Sequence, residues 1–444
     1  MAGAGTHVRV TRSEDGTVLI SAHADAGPDA GQAADPAAGH AGSSGEPAAA
    51  GPDFTRSVLD VAGATLAWPV LGEPAVPAAE IHDAGRAQQW LWAVYGEPVA
   101  AAVHDAEAGQ SAGARVRAAT PDLADAAARL GFAHWAARWW PASYPDGIPA
   151  LEPDVHGLET AALTHRCQQL FDDHDDQGDA CVAELIEDHR AALAPLLQWW
   201  HAATQPASTA RHLDAVLRLV DDAADCSGLD GTALRRLRTA LGRGPDHGRT
   251  VLPAGPAALF ARRDGYALAA GEPFAAGGRV IARGTGTNDW RRYPPGLVDA
   301  AEHAVSWTAR ALGARRQIEV EVVAHVAAPA TGAPLVAEVR VNGGPPARVP
   351  LARRDDVWTG RGDVDLTEDP PATTPAPRLD VAVLLPGFDP GAGPEARAGR
   401  DAIRALARRR LAAAARPVAD GARAGVAGPF LAETLAASAS GEDY

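Results

Sequence analysis

Residues 335–351 read Leu-Val-Ala-Glu-Val-Arg-Val-Asn-Gly-Gly-Pro-Pro-Ala-Arg-Val-Pro-Leu. Leu335, Ala337, Val339 and Val341 share one side of an extended chain, because side chains alternate along a strand with a period of two. Asn342-Gly343 supplies a hairpin turn, since both residue types tolerate positive φ, and Val349 and Leu351 lie on the return strand. The same alternation holds for Ile318, Val320 and Val322 around Glu319 and Glu321, and for Leu379, Val381, Val383 and Leu385. Short strands divided by Gly/Pro turns predict a small antiparallel β-sandwich domain over residues 293–390.

Upstream, the period changes to that of a helix. Val182, Leu185, Ile186, His189, Leu193, Leu196, Leu197 and Trp200 fall on one stripe and predict one long helix. Leu213, Val216, Leu217 and Val220 mark a second helix. Leu234, Leu237 and Leu241 mark a third, closed by Gly242. Thr120-Pro121-Asp122 starts another, with a hydroxyl cap, a proline in the first turn and a carboxylate at the positive end of the helix dipole. Phe132, Trp135 and Trp139 share a face of that helix, which stops at Trp140-Pro141 because proline disfavours helical backbone in the residue before it.

The organisation that follows is an α+β multidomain chain. Val8, Val10, Val18 and Ile20 flank Glu14-Asp15-Gly16 and predict an N-terminal β-hairpin segment over 1–22. Residues 23–52 are Ala, Gly, Pro, Ser and Asp without periodicity and predict a disordered linker. An α-helical domain (53–245), with a short strand-like piece from Val58 to Val70 near its start, and an irregular connector (246–292) precede the sandwich. A C-terminal basic helix, about 394–415, and a flexible tail fill residues 391–444.

Composition excludes several chemistries. All 40 basic residues other than histidine are arginine. Without lysine there is no Walker-type phosphate loop, no kinase-type phosphate anchor and no Schiff base. Arginine stays protonated and cannot replace the amine. Asn occurs only at Asn288 and Asn342, and Met only at Met1. Loss of residues with AT-rich codons reads as a high-GC bacterial genome. The net charge of −16 argues against nucleic acid as a partner, since phosphates repel an acidic chain. The three cysteines, Cys167, Cys181 and Cys226, form no disulfide framework. No run is apolar and long enough for a leader or a membrane span, so a cytoplasmic location is expected.

Two clusters carry candidate chemistry. Residues 173–184 resemble the EF-hand calcium loop, with Asp173, Asp175, Gln177, Asp179 and Glu184 as oxygen ligands and Gly178 at the turn. Gln177 and Ala180 depart from that pattern, and the other reading is an acidic helix–helix loop. Calcium is therefore the one cofactor that the sequence suggests; no other is expected. Cys167, His174, Cys181 and His189 offer zinc-type ligands, but their spacing is not that of a zinc module, and a core His189 is the better reading. Arg397, Arg400, Arg404 and Arg408 recur at i, i+3, i+7 and i+11 and form one basic stripe on the C-terminal helix. They are candidate contacts to an acidic protein partner, or to this protein's own acidic body.

Gly284-Thr-Gly286-Thr-Asn288-Asp289 lacks the third glycine and the following helix of a dinucleotide loop. The 11 tryptophans include three close pairs, Trp90/Trp92, Trp139/Trp140 and Trp199/Trp200. Near neighbours on a helix point in different directions, so one member of a pair can be an exposed interface anchor. No catalytic constellation stands out. The expected function is a non-enzymatic scaffold or adaptor in a cytoplasmic bacterial assembly. A calcium-regulated protein using 173–184 is the second expectation, and an enzyme of unrecognised class with a site between the helical and β domains is the third.

Overall fold

The computed structural model describes residues 6–22, 53–72, 76–110, 113–119, 122–171, 177–203, 205–244, 255–260, 279–313, 315–326, 328, 334–364, 378–388, 397–416 and 428–439. Helices and antiparallel sheets are both present, so the chain is mixed α+β. It divides into two compact units, each discontinuous in sequence. Unit 1 takes residues 1–138, 151–261 and 409–444; unit 2 takes 139–150 and 262–408.

Unit 1 begins with a hairpin of β1 (His7–Arg12) and β2 (Val18–Ala22). It is not a separate segment, as the sequence suggests. It joins β3 (Arg56–Val61), β4 (Ala64–Pro69), β5 (Ala78–Ile81) and β6 (Ala114–Arg117) in one sheet, ordered β3-β4-β5-β2-β1-β6. β3 and β4 fall on the strand-like piece read from Val58 to Val70, whereas β5 and β6 occupy a span expected to be helical. Their inward residues include alanines, which carry little period-two signal. Gly63 turns β3 into β4 at φ +73°, and a Cβ there would lie 2.3 Å from the Asp83 carbonyl oxygen. Both the turn and the close approach require glycine.

One face of the sheet is apolar and packs against α1 (Ala84–Tyr95), α2 (Glu97–Glu107) and α3 (Asp122–Trp139) around Trp90, Leu91, Val103 and Leu130. The Asp83 carboxylate caps α1 by accepting the Arg86 N–H at 3.0 Å. A second core is built by α4 (Pro153–Arg166), α5 (Gln177–His189), α6 (Leu193–Trp200), α7 (Ala207–Cys226) and α8 (Thr232–Arg243). The one long helix expected over 182–200 is two, because Pro195 cannot sit inside a helix but fits the first turn of α6. Gly244, at φ +82°, caps α8 in place of Gly242.

Unit 2 contains β7 (Arg279–Thr285), β8 (Val305–Leu312), β9 (Arg315–Val323), β10 (Val336–Val341), β11 (Ala347–Pro350), β12 (Ala352–Arg354), β13 (Val357–Asp363) and β14 (Leu379–Leu384). They form a five-stranded sheet, β12-β13-β9-β8-β7, and a three-stranded one, β11-β10-β14. All strand pairs are antiparallel. Val305, Ile318, Val320 and Trp358 from the first sheet share one apolar core with Val339, Val349, Val381 and Val383 from the second. The span expected as irregular connector thus supplies β7. Asn342 and Gly343 both take positive φ, as a turn at that point requires. Helix α9 (Arg397–Ala414) belongs to unit 2 as far as Arg408 and to unit 1 beyond, and α10 (Leu431–Ala439) lies in unit 1.

Candidate functional site

In unit 2, the stretch Ser143-Tyr144-Pro145-Asp146-Gly147-Ile148 closes into a tight loop. Ser143 and Ile148 exchange backbone hydrogen bonds of 2.8 and 2.9 Å, and the Gly147 N–H donates to the Tyr144 carbonyl at 3.1 Å. Proline presets the backbone of the first turn position, and Gly147 accepts the left-handed one at φ +63°. The Asp146 N–H donates to Ser143 Oγ at 3.0 Å. Ser143 and Ile148 are buried, whereas Tyr144 is 85% exposed. The loop therefore holds a large aromatic side chain outward on a fixed backbone.

Three supports fix that backbone. The Tyr144 N–H donates to Asp299 Oδ2 at 2.8 Å, and the other Asp299 oxygen accepts the Ala301 N–H at 2.8 Å. Asn288, fully buried, donates to the Asp299 and Ala301 carbonyls at 3.0 and 2.5 Å, and accepts from the Tyr293 hydroxyl. On the far side of the turn, Asp146 pairs with Arg404 at 3.7 Å and Arg408 at 3.3 Å. Arg408 also donates to the Asp146 carbonyl at 3.1 Å.

The arginine stripe of α9 thus faces largely inward. Arg400 donates from Nε and Nη2 to the two Glu302 oxygens at 2.9 and 2.6 Å. Arg404 donates to the Ala300 carbonyl at 2.9 Å and to Glu302 at 3.3 Å, pairs with Asp401, and lies over the Trp290 ring. Both arginines are buried, so neither can present its guanidinium to a partner. Of the four residues expected to bind one, Arg397 is the most exposed, Arg408 is half-exposed, and each also has a carboxylate within 4 Å. Burial acts to raise the Glu302 carboxyl, but the hydrogen bonds and charges of Arg400 and Arg404 outweigh it and hold it below its ordinary range. Asp289 is likewise lowered against burial by its hydrogen bonds to Arg291, which it meets at 2.8 Å.

Unit 1 has its own buried charge network. Glu159 accepts from Arg129 at 2.8 Å, from the Leu431 N–H at 2.7 Å, and lies 2.9 Å from His212 Nε2. Burial would raise its carboxyl, yet the charges and hydrogen bonds of His212 and Arg129 hold it down at about 2. Glu433 accepts from Arg410 at 2.5 and 2.7 Å and from the Phe430 N–H at 2.7 Å, which satisfies a free backbone donor at the start of α10. The Phe430 ring packs among Phe132, His156, Arg129 and Arg410. These charges pin the C-terminal helix in place.

The three tryptophan pairs resolve differently. Trp90 is buried and donates to the Ala62 carbonyl at 2.9 Å, whereas Trp92 is 56% exposed. Trp139 is buried and Trp140 half-buried, while Trp199 and Trp200 are both buried because α6 is apolar on most of its circumference.

Of the EF-hand-like ligands, Asp173 and Asp175 lie outside the described residues. Gln177, Asp179 and Glu184 fall within α5, with Gly178 also helical. Among the described residues, no three His, Cys, Asp or Glu side chains converge as metal ligands. His189 lies 3.1 Å from Asp154, against Gly157, where a Cβ would overlap its ring. Gly284 and Gly286 make room for Trp307 and for Val305 and the Val381 carbonyl, so packing accounts for both glycines. Sequence reasoning passed over Tyr144, although Tyr-Pro-Asp-Gly is itself a turn signature. No helix among the described residues is long and apolar enough to cross a membrane. No family model, characterised protein or solved structure matches the chain.

Proposed function

We propose that the protein is a non-enzymatic scaffold or adaptor of a cytoplasmic bacterial assembly, and that Tyr144 is a partner anchor. The observation that carries the reading is the combination of 85% exposure with a loop backbone tied to Asp299, Arg404 and Arg408. Tyrosine gives a large contact area at low entropic cost and is enriched among binding hot spots. A backbone ordered in advance removes part of the cost of association. The arginine stripe then serves the interface indirectly, as the brace of the loop. Trp92 is a second exposed aromatic, on unit 1. We read the paired sheets of unit 2 as the antiparallel sandwich that follows the helical part in sequence.

The test is a photocrosslinking amino acid at position 144 of the full chain, irradiated in its native cytoplasm. A discrete crosslinked species, absent when the same residue replaces the partly exposed Arg353, supports the reading. Crosslinking no stronger than at position 353 overturns it.

A further inference from the structure

We propose that the outer face of the five-stranded sheet in unit 2 binds a small phosphorylated polyol, with its phosphate held between Arg283 of β7 and Arg310 of β8. This goes beyond the Tyr144 reading and does not depend on it. Trp307 and Ala309 point into the core of unit 2, so Ser306, Thr308 and Arg310 take the opposite face of β8. The register places Arg283 opposite Thr308, Val280 opposite Arg310 and Thr285 opposite Ser306. On the other side of β8, Gln317 lies opposite Arg310, Glu319 opposite Thr308 and Glu321 opposite Ser306. Arg283 and Arg310 are therefore diagonal neighbours on one face, with Thr308 beside both.

Among the described residues, neither arginine has an ion pair or a side-chain hydrogen bond. Arg310 Nε is buried without an acceptor, which costs stability until something accepts from it. Arg361, on the same face, shows the contrast. It donates from Nε and Nη2 to Glu319 Oε1 at 3.0 and 2.7 Å, so the carboxylate beside Thr308 is taken up by Arg361. The register of β7 also shifts between Val280 and Ala282, beside the arginine pair. Bulges of this kind re-aim side chains next to binding sites. Two guanidinium forks and a hydroxyl suit a phosphate, whose oxygens accept from several donors at once. One row further along the strands, roughly 7 Å away, Thr285, Ser306 and Glu321 supply hydroxyls and a carboxylate. Ser306 Oγ donates to the Glu321 carbonyl at 3.4 Å, so its oxygen still accepts. That row meets the hydroxyls of a polyol whose phosphate sits on the arginines. The strands β7, β8 and β9 carry no exposed aromatic side chain on which a base could stack, which argues against a nucleotide.

The test is calorimetric titration of the full-length protein with glucose 6-phosphate, and separately with inorganic phosphate, glucose and thymidine monophosphate. Glucose 6-phosphate should bind saturably and at least about ten-fold more tightly than each of the other three. Arg283→Gln/Arg310→Gln should weaken it by about ten-fold or more, and Glu321→Gln should narrow its preference over inorganic phosphate. A second readout needs no substitution, so the test stands even if a variant folds poorly. Phenylglyoxal labels accessible guanidinium groups, and glucose 6-phosphate should protect Arg283 and Arg310 while leaving exposed Arg348 open to label. No saturable binding, or binding that protects neither Arg283 nor Arg310, overturns the proposal. Equal affinity for inorganic phosphate, or an unchanged preference in Glu321→Gln, overturns the polyol assignment. Tighter binding of thymidine monophosphate overturns it in favour of a nucleotide. None of these outcomes touches Tyr144.

Discussion

Arg400 and Glu302, 98 residues apart in sequence, meet in a two-pronged ion pair with contacts of 2.9 and 2.6 Å. The arginine side chain is 2% exposed and the glutamate 17%. A pair so placed offsets the cost of removing two charges from water only while both partners are present. Arg400→Ala should therefore cost about 3 kcal/mol of stability. Arg400→Met with Glu302→Leu should cost less than the sum of the two single changes. A double-mutant cycle in chemical denaturation measures the difference, and additive effects would deny the coupling.

Glu159 should give the protein a marked acid sensitivity. Its folded pKa of about 2 lies below the ordinary 4.5. A group depressed in the folded state contributes stability that is fully present above its unfolded pKa. That stability is lost as pH falls from about 4.5 towards about 2. The contribution is on the order of 3 kcal/mol. Denaturation midpoints at pH 6 and pH 3 should differ more for the wild type than for Glu159→Gln. Parallel pH dependence would show that the pairs with His212 and Arg129 carry no such energy.

Phe430 should be a keystone of unit 1. It is buried among Phe132, His156 and two arginines. Phe430→Ala should cost about 3–5 kcal/mol. Protease should then cut at or near α10 before it cuts the six-stranded sheet. A cost below about 1 kcal/mol would mean that the C-terminal helix is held by its charges alone.

The tryptophan pair on α1 should separate cleanly. Trp90→Ala removes a fully buried ring and its 2.9 Å hydrogen bond, and should cost about 3–5 kcal/mol. Trp92→Ala removes an exposed ring and should leave stability within about 0.5 kcal/mol. Equal costs would contradict the placement of the two rings.

Calcium should not stabilise the chain. Positions five to twelve of the EF-hand-like stretch, Gln177–Glu184, are wound into α5, and Gly178 at position six makes no loop turn. Melting temperature should be the same in millimolar calcium and in chelator. A rise in calcium would restore the site, because a ligand of the native state must raise its stability.

Much of the fold was legible in residue periodicity. Ile318–Val322, Val336–Val341 and Leu379–Leu384 announced their strands by alternation. The stripe of α7 was clear for the same reason at helical spacing. The strand-like piece from Val58 to Val70 is the β3–β4 hairpin, whereas β5 and β6 were missed because Ala78, Ala79 and Ala114 are small enough to suit either structure. The break before α6 was written in Pro195, but the apolar stripe on both sides masked it. The roles of Arg400 and Arg404 could not be read from spacing. A basic stripe looks the same whether it meets water, a partner or Glu302, and only the packing of α9 within unit 2 decides between them. The Tyr144 loop had a local signature, yet its exposure and its three supports depend on residues 299, 404 and 408, far along the chain.

The most direct test of the adaptor reading is native mass spectrometry of the full-length protein purified gently from its own cells, compared with Tyr144→Ala. The account predicts a protein partner at fixed stoichiometry on the wild type, and its loss from a variant whose melting temperature is unchanged. A bare monomer in both samples, or a partner retained by Tyr144→Ala, would contradict it.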